Sequence, residues 1–264
     1  FGTPIAQAAL PFLVVEAEKQ DLTHFRDLVL KSMHQISFFA LPASVLLLIL
    51  RIPITRIVFG DKTFPWQTTL LTGRVVGIIA LSIAAQACVQ LLIRAFYALK
   101  NTRTPFLITC ITVSLYVTLN WILVIVMQIG VLGMGIAITV SAFTELFLFL
   151  FFLNRKVHGL FCKKLWVPQL KMITASFLMA IFLYLPFRVL DQLIFQTTHT
   201  VELILLTLIT STIGMCVYIC FGLIFDIREL YMVKNIVNKV GGWKKTLAKT
   251  EEVLLETGVQ GEDV

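Results

Sequence analysis

Polar side chains recur at four-residue spacing inside otherwise apolar segments, and the acid Glu145 is the strongest of these signals. It is the only Asp, Glu, Lys or Arg in six apolar segments that predict membrane spans. A charge near the bilayer centre costs about 2.5–3.5 kcal/mol, so Glu145 must face a partner or water, or be protonated. Two interpretations stay open. It is a neutral carboxyl hydrogen-bonded between helices, or it contacts a proton, a cation or a substrate in a transport pathway.

Three polar rows run along three neighbouring segments. Their members are Ser82, Gln86 and Gln90 in the second segment, Thr109, Thr112, Tyr116 and Asn120 in the third, and Gly133, Ala137, Ser141 and Glu145 in the fourth. Such rows mark helix faces turned toward protein or a cavity rather than lipid, and small or hydrogen-bonding residues also suit close helix packing. We therefore predict that Glu145, Gln86 and Gln90 line a substrate path, with interhelical hydrogen bonding as the alternative for the glutamines, and Arg94 continues the row of the second segment.

No enzyme constellation accompanies these rows. The four His are scattered and do not pair with Cys, Asp or Glu at the spacing of metal ligands or of an acid–base pair. A phosphate-binding glycine loop is also missing, because Gly130, Gly133 and Gly135 open an apolar helix with no strand before them. We expect neither catalysis, nor a metal site, nor nucleic-acid binding, and we assign the net charge of +7 to the membrane surface.

The elements that must hold these residues are membrane helices. Hydrophobic residues make up 58% of the chain and charged residues 14%, which excludes an ordinary soluble domain. Uncharged stretches of this length cross a bilayer as helices, because a helix satisfies its own backbone in hydrocarbon. The predicted spans are 33–50, 75–93, 106–128, 131–153, 172–187 and 203–225. The fold class is an all-α polytopic membrane protein.

The chain divides by composition. We predict the end of a truncated membrane helix at 1–15, a cytoplasmic loop at 16–32, four spans of one lobe at 33–156, two additional spans at 157–225, and a cytoplasmic amphipathic and acidic tail at 226–264. Alternating the connections across the membrane places 17 Lys and Arg on one side and 5 on the other. The positive-inside rule assigns the richer side, with the C-terminus, to the cytoplasm.

The connection between the second and third spans carries the sequence LIRAFYALKNTRTP, residues 92–105. It resembles a turn of the MurJ/MviN lipid II flippase family, which lies in the exporter superfamily of multidrug, oligosaccharidyl-lipid and polysaccharide transporters. Weaker similarities flank it: AALP at 8–11, Phe59-Gly60 with Phe64, and GVLGMGIAITVS at 130–141. The resemblance covers residues 1–156 by motif and the remainder by helix count alone.

Membership in this family would imply part of a two-lobe, fourteen-helix flippase. This chain would supply the C-terminal half, as six full transmembrane helices plus the end of a seventh. The implied activity is movement of the undecaprenyl-pyrophosphate-linked peptidoglycan precursor from the inner to the outer leaflet of the bacterial cytoplasmic membrane by alternating access. Arg94 and Arg103 would guide the headgroup at the cytoplasmic mouth, or would only anchor and fix the turn. The half alone is not expected to flip lipid.

The resemblance also bears on coupling and partners. Some family members bind sodium, and Asn120 and Thr139 are the nearest matches here, although Tyr116 stands where a polar ligand is expected. Coupling would use Na⁺ or the membrane potential, with no other cofactor. The implied partners are the lipid-linked precursor, membrane lipids and other cell-wall synthesis proteins. Two rivals remain: a related polysaccharide-lipid or drug exporter, and a non-transporting membrane scaffold.

Overall fold

A computed structural model describes residues 2–19, 21–60, 65–161, 163–193, 200–227 and 229–230. These residues form nine α-helices and one π-helical segment. The helices are α1 (Gly2–Glu18), α2 (Leu22–Ile49), α3 (Arg51–Phe59), α4 (Trp66–Ala80), α5 (Ile83–Ala98), α6 (Arg103–Asn120), α7 (Val131–Val157), α8 (Lys163–Leu193) and α9 (Thr200–Ile224), and the π-helical segment Trp121–Val126 continues α6. The predicted all-α class is confirmed.

Five of these helices are long and apolar enough to cross a membrane: α2, α6 with its π-helical extension, α7, α8 and α9. The pair α4 and α5, bent by 42° at a short break, is a sixth candidate when the two helices are counted as one span. Each predicted span lies within or largely overlaps one of these units. The first of two compact units ends at Phe225. The tail predicted at 226–264 lies almost entirely outside the described residues, as does Phe64 of the weaker family similarity.

The connection predicted as a loop over 16–32 is mostly helical. α1 continues to Glu18 and α2 already begins at Leu22, because Asp21 caps the new helix. One Asp21 carboxylate oxygen accepts hydrogen bonds from the N–H groups of Thr23 and His24, at 3.1 Å each, and from the Thr23 hydroxyl at 2.6 Å. These bonds, led by the one from the Thr23 hydroxyl, hold the pKa of Asp21 well below its usual range.

The first predicted span, 33–50, is followed at once by a separate short helix. α2 ends at Ile49, and α3 starts as a separate helix at Arg51. Pro53 explains the break, because it has no N–H to donate to the Ile49 carbonyl and its ring would collide with that group.

A buried cluster of large side chains joins α1, α2, α5 and α7. Phe25, Phe96 and Phe149 are fully buried in it, and the Phe96 and Phe149 ring centroids lie 5.8 Å apart in a tilted pair. Small residues allow α1 to approach closely: a Cβ added at Gly2 would lie 2.7 Å from the Cβ of Ala87. In a bilayer such shape-matched packing replaces the hydrophobic driving force that acts in water. This cluster sets the positions of α5 and α7, which carry two of the polar rows.

Helix α8 is attached to this bundle by polar contacts with α2. Gln169 donates to the Ser37 hydroxyl at 2.8 Å, and Ser37 lies 3.5 Å from the thiol of Cys88 on α5. At the end of the bundle where α8 begins, Lys164 pairs with Asp27 of α2 at 3.3 Å. Helix α9 packs mainly on α8. The two last spans therefore extend the bundle through α2.

Candidate functional site

The polar row of α5 projects from the helix that follows the bend. Gln86 and Gln90 are both exposed, one turn apart. The Gln86 amide donates to the Ser82 hydroxyl at 2.8 Å, and Ser82 in turn donates to the Ile79 carbonyl at 2.7 Å. This chain of bonds links Gln86 to the break between α4 and α5. The Gln90 amide takes no part in it.

The facing row on α6 consists of hydroxyl-bearing side chains. Thr112 is buried, and its hydroxyl returns to the Thr109 carbonyl at 3.1 Å. Tyr116 follows one turn later, half-buried. A membrane helix tolerates threonine at this position because the hydroxyl can bond to a carbonyl of the same helix. The row therefore adds polar groups without breaking α6.

The third row, on α7, brings the acid. Glu145 lies near the middle of the 27-residue helix and is half-buried. Glu145 and Thr109 of α6 line the same space between the two helices. One turn earlier, Ser141 is only 8% exposed, and its hydroxyl has no hydrogen-bond partner. A buried hydroxyl without a partner is uncommon in native structures and calls for an explanation.

The three rows meet at one cavity of about 440 Å³ between α5, α6 and α7. Its polar lining consists of Gln86, Gln90, Thr109, Thr112, Tyr116, Ser141 and Glu145, and its apolar lining of Val89, Ile93, Val113, Ile138 and Ala142. Glu145 is the one acid in this lining, which contains no Lys, Arg or His. The arrangement can accept hydrogen bonds or a positive charge, and it can donate from hydroxyls and amides.

The two predicted path arginines do not line this cavity. Arg94 of α5 donates instead to the backbone carbonyl of Thr3 in α1, at 3.2 Å. Arg103 is exposed at the start of α6. The structure thus brings Glu145, Gln86 and Gln90 together and places both arginines elsewhere.

Asn120 and Thr139, the predicted cation ligands, make different contacts. The Asn120 amide nitrogen donates to the Tyr116 hydroxyl at 3.4 Å, and its side-chain oxygen is buried without a hydrogen-bond partner. The Thr139 hydroxyl points back to the backbone: it lies 2.9 Å from the Gly135 carbonyl and 3.0 Å from that of Ile78 on α4. Thr139 therefore ties α7 to α4.

The break between α4 and α5 was not predicted from the sequence. The N–H groups of Leu81 and Ser82 reach back only three residues, so the helical pattern stops at Ala80. Hydroxyls from two other helices complete the break: Thr139 contacts the Ile78 carbonyl, and Ser44 of α2 donates to Ala80 at 2.6 Å. Irregular backbone at membrane depth needs such partners. Neither Pro nor Gly lies at the break, so the sequence held no clear signal.

The motif at 92–105 builds the turn from α5 to α6. Lys100 takes the left-handed conformation with φ 54°, and the N–H groups of Lys100 and Asn101 return to the carbonyls of Tyr97 and Phe96. This is the hydrogen-bond pattern of a Schellman helix end. The Asn101 side chain then accepts from the N–H of Thr104 at 3.3 Å and donates to its hydroxyl at 2.7 Å. The motif thus closes one helix and starts the next.

A sequence model of the family described as Lipid II flippase MurJ matches residues 1–206 of this chain. The chain belongs to the MurJ lipid II flippase family. The MurJ family is one of transporters rather than enzymes, as the lack of a catalytic constellation predicted, and the chain is a multi-pass membrane protein.

Curated relatives and a solved structure agree with this assignment. The probable lipid II flippase MurJ of Bdellovibrio bacteriovorus is 28% identical over 221 residues, which are 84% of this chain and 40% of that relative. The probable lipid II flippase MurJ of Thermotoga maritima is 27% identical over 230 residues, 87% of this chain and 43% of that relative. The chain thus spans about two fifths of the length of these MurJ proteins.

A solved structure, Lipid II flippase MurJ in an inward closed conformation, is similar to this chain with a TM-score of 0.65. The identity is 22%, and the alignment covers 85% of this chain and 43% of that one. This likeness shows that the two share a fold. The fold implied by the LIRAFYALKNTRTP motif is confirmed.

Proposed function

We propose that this chain forms one lobe of a lipid II flippase, which moves the undecaprenyl-pyrophosphate-linked peptidoglycan precursor from the inner to the outer leaflet by alternating access. Membership in the MurJ family supports the substrate class. The observation that carries the proposal is the cavity between α5, α6 and α7, whose lining includes seven polar side chains, among them Glu145 near the middle of a membrane helix. Polar groups gathered within membrane helices mark a functional path by default, and these groups suit the passage of a polar headgroup.

The lobe would form one wall of the path. Cationic groups outside this chain would hold the pyrophosphate, since the cavity lining contains none. The outer faces of α8 and α9 would offer a groove to the polyprenyl tail, because large apolar side chains such as Phe177 and Phe182 on α8 and Leu208 on α9 are exposed there. Arg94 and Arg103 would stand at the mouth on the side of the 99–102 turn.

We place the chain in the bacterial cytoplasmic membrane with its C-terminal tail in the cytoplasm. The support is the distribution of Lys and Arg, 17 on one side against 5 on the other. The domain boundaries proposed from composition rest on the same alternation of the connections between the two sides of the membrane. A protease or cysteine-labelling map that finds the tail outside the cytoplasm would overturn this orientation.

The membrane potential would drive the outward step. An inside-negative potential favours outward movement of negative charge by about 2.3 kcal/mol per charge for each 100 mV. A sodium contribution would use the buried oxygen of Asn120, together with the lone pairs of the Thr139 hydroxyl. Transport that persists without sodium but stops when the potential is collapsed would assign coupling to the potential alone.

The test uses the native gene product that contains this sequence, reconstituted in liposomes with labelled lipid II. Glu145→Gln removes the carboxyl group and keeps the size, and the loss of one hydrogen bond or proton-binding group in the path should slow transport about 10-fold. Thr144→Val is the matched control, because its hydroxyl bonds only to the Val140 carbonyl of its own helix. Equal transport by both variants would contradict a role for Glu145 in the path.

Depletion in cells separates the rival functions. A flippase predicts that lipid II accumulates on the inner leaflet. A non-transporting scaffold predicts unchanged lipid II together with lost recruitment of cell-wall synthesis proteins. Wild-type liposomes that move a polysaccharide lipid or a drug but not lipid II would instead support the related exporter.

A further inference from the structure

We propose that the cavity between α5, α6 and α7 is a subsite for an uncharged sugar ring, and that it recognises the glycan part of the headgroup rather than the pyrophosphate. This inference rests on the proposed function and names which portion of the substrate the lobe would hold. It follows from the charge, the size and the hydrogen-bonding groups of the cavity.

The charge of the lining excludes the pyrophosphate as the occupant. Glu145 is the acid of the cavity, and no Lys, Arg or His lines it. A pyrophosphate in this cavity would find no cation to balance its charge, and an unpaired charge is costly where the local dielectric is low. Arg94 directly follows the lining residue Ile93, but its side chain donates to the Thr3 carbonyl of α1. The site therefore accepts a neutral donor-rich group.

The volume distinguishes a sugar from a bare cation. A cation held by oxygen ligands needs them converged at about 2.3–2.6 Å around one point. The cavity holds about 440 Å³, which is room for more than ten waters at about 30 Å³ each. Small-molecule sites measure about 300–1,000 Å³. A sugar ring with its substituents fits this space, whereas a single cation would leave most of it to water.

The groups around the cavity match hydroxyl and acetamido substituents. The Ser141 hydroxyl is more than nine-tenths buried, lines the cavity and has no hydrogen-bond partner. Gln86 and Gln90 present exposed amides, and the Glu145 carboxylate accepts hydrogen bonds. Hydroxyls and amides both donate and accept, as sugar substituents do. A sugar would complete the bonding of Ser141, which the protein leaves unfinished.

Ser141→Ala separates recognition from structure. Because the Ser141 hydroxyl has no partner in the protein, its removal should leave thermal stability unchanged or raised. Dissociation constants are measured in detergent for the native gene product with two probes, lipid II and undecaprenyl pyrophosphate. The variant should bind lipid II about 5–10-fold more weakly, the loss expected for one hydrogen bond. Its affinity for undecaprenyl pyrophosphate, which carries no sugar, should not change.

Two further variants complete the test. Gln90→Leu should show the same selective loss for lipid II. Ser114→Ala is the control, because the Ser114 hydroxyl is exposed and bonds to the Cys110 carbonyl of its own helix, and it should alter neither affinity.

The contrary outcomes are distinct. Equal weakening of both lipids by Ser141→Ala would overturn the sugar subsite, and so would unchanged binding of both. Binding of sodium that is lost in Ser141→Ala, with lipid affinities intact, would assign the cavity to a cation. If the wild-type protein binds and transports neither lipid, the proposed function itself fails.

Discussion

The break between α4 and α5 should depend on hydroxyls supplied by other helices, and Ser44→Ala tests this dependence. Ser44 is 6% exposed and donates to the Ala80 carbonyl at 2.6 Å. Hydrogen bonds between membrane helices contribute about 0.6 kcal/mol on average and up to about 1.7 kcal/mol. This bond is short, and its loss leaves a buried carbonyl without its donor. We therefore expect the free energy of unfolding to fall by an amount in the upper half of that range. For a chain of this size the melting temperature should fall by about 2–6 °C.

The assay is thermal unfolding of the purified protein in detergent, followed by tryptophan fluorescence or by loss of monodisperse protein. Ser114→Ala again provides the control, because its hydroxyl shares an acceptor already engaged within α6. Thr139→Val keeps the shape of the side chain and removes the contact with Ile78 on the other side of the break. If Ser44→Ala and the Ser114→Ala control have the same melting temperature, the view that hydroxyls from other helices stabilise the break is refuted.

Three further outcomes follow from local structure. Phe149→Ala empties a fully buried ring site and should cost about 3–5 kcal/mol, whereas Phe147→Ala, at a position 61% exposed, should cost far less in the same thermal assay. Lys100→Gly relieves a left-handed residue at φ 54° and should raise the melting temperature slightly in the same assay. The lowered pKa of Asp21 contributes stability above its unfolded pKa of about 3.9, and this is lost as pH falls toward the folded value. As the pH is lowered, the Thr23 and His24 amides should therefore lose hydrogen-exchange protection at a higher pH than amides in the middle of α2.

The sequence was most informative where one physical requirement dominates. A membrane helix must be long and apolar, so the candidate spans and the exceptional position of Glu145 could be predicted from composition. Spacing by four residues also places side chains on one helix face, and the structure brings members of three such rows to one cavity. The motif at 92–105 pointed to the family, which the match over residues 1–206 established.

Local breaks and long side chains were harder to predict. The bend after Ala80 lacks Pro and Gly and is completed by Ser44 and Thr139, which are distant in sequence. The polar residues near Asp21 predict a loop, yet a single capping carboxylate starts α2 there. Arg94 continues the row of Gln86 and Gln90 by spacing, but its long side chain turns to α1 instead.

The sequence by itself determined which segments are candidate spans, their approximate bounds and the polar faces of α5, α6 and α7. The physical reason is that the cost of exposing a backbone or a charge to lipid acts on each segment alone. Only the tertiary structure decided which faces meet, because that depends on close packing between helices far apart in the chain. The approach of Gly2 to Ala87 and the burial of Phe96 against Phe149 position α5 and α7. That packing leaves the Ser141 hydroxyl without a partner in a cavity beside Glu145.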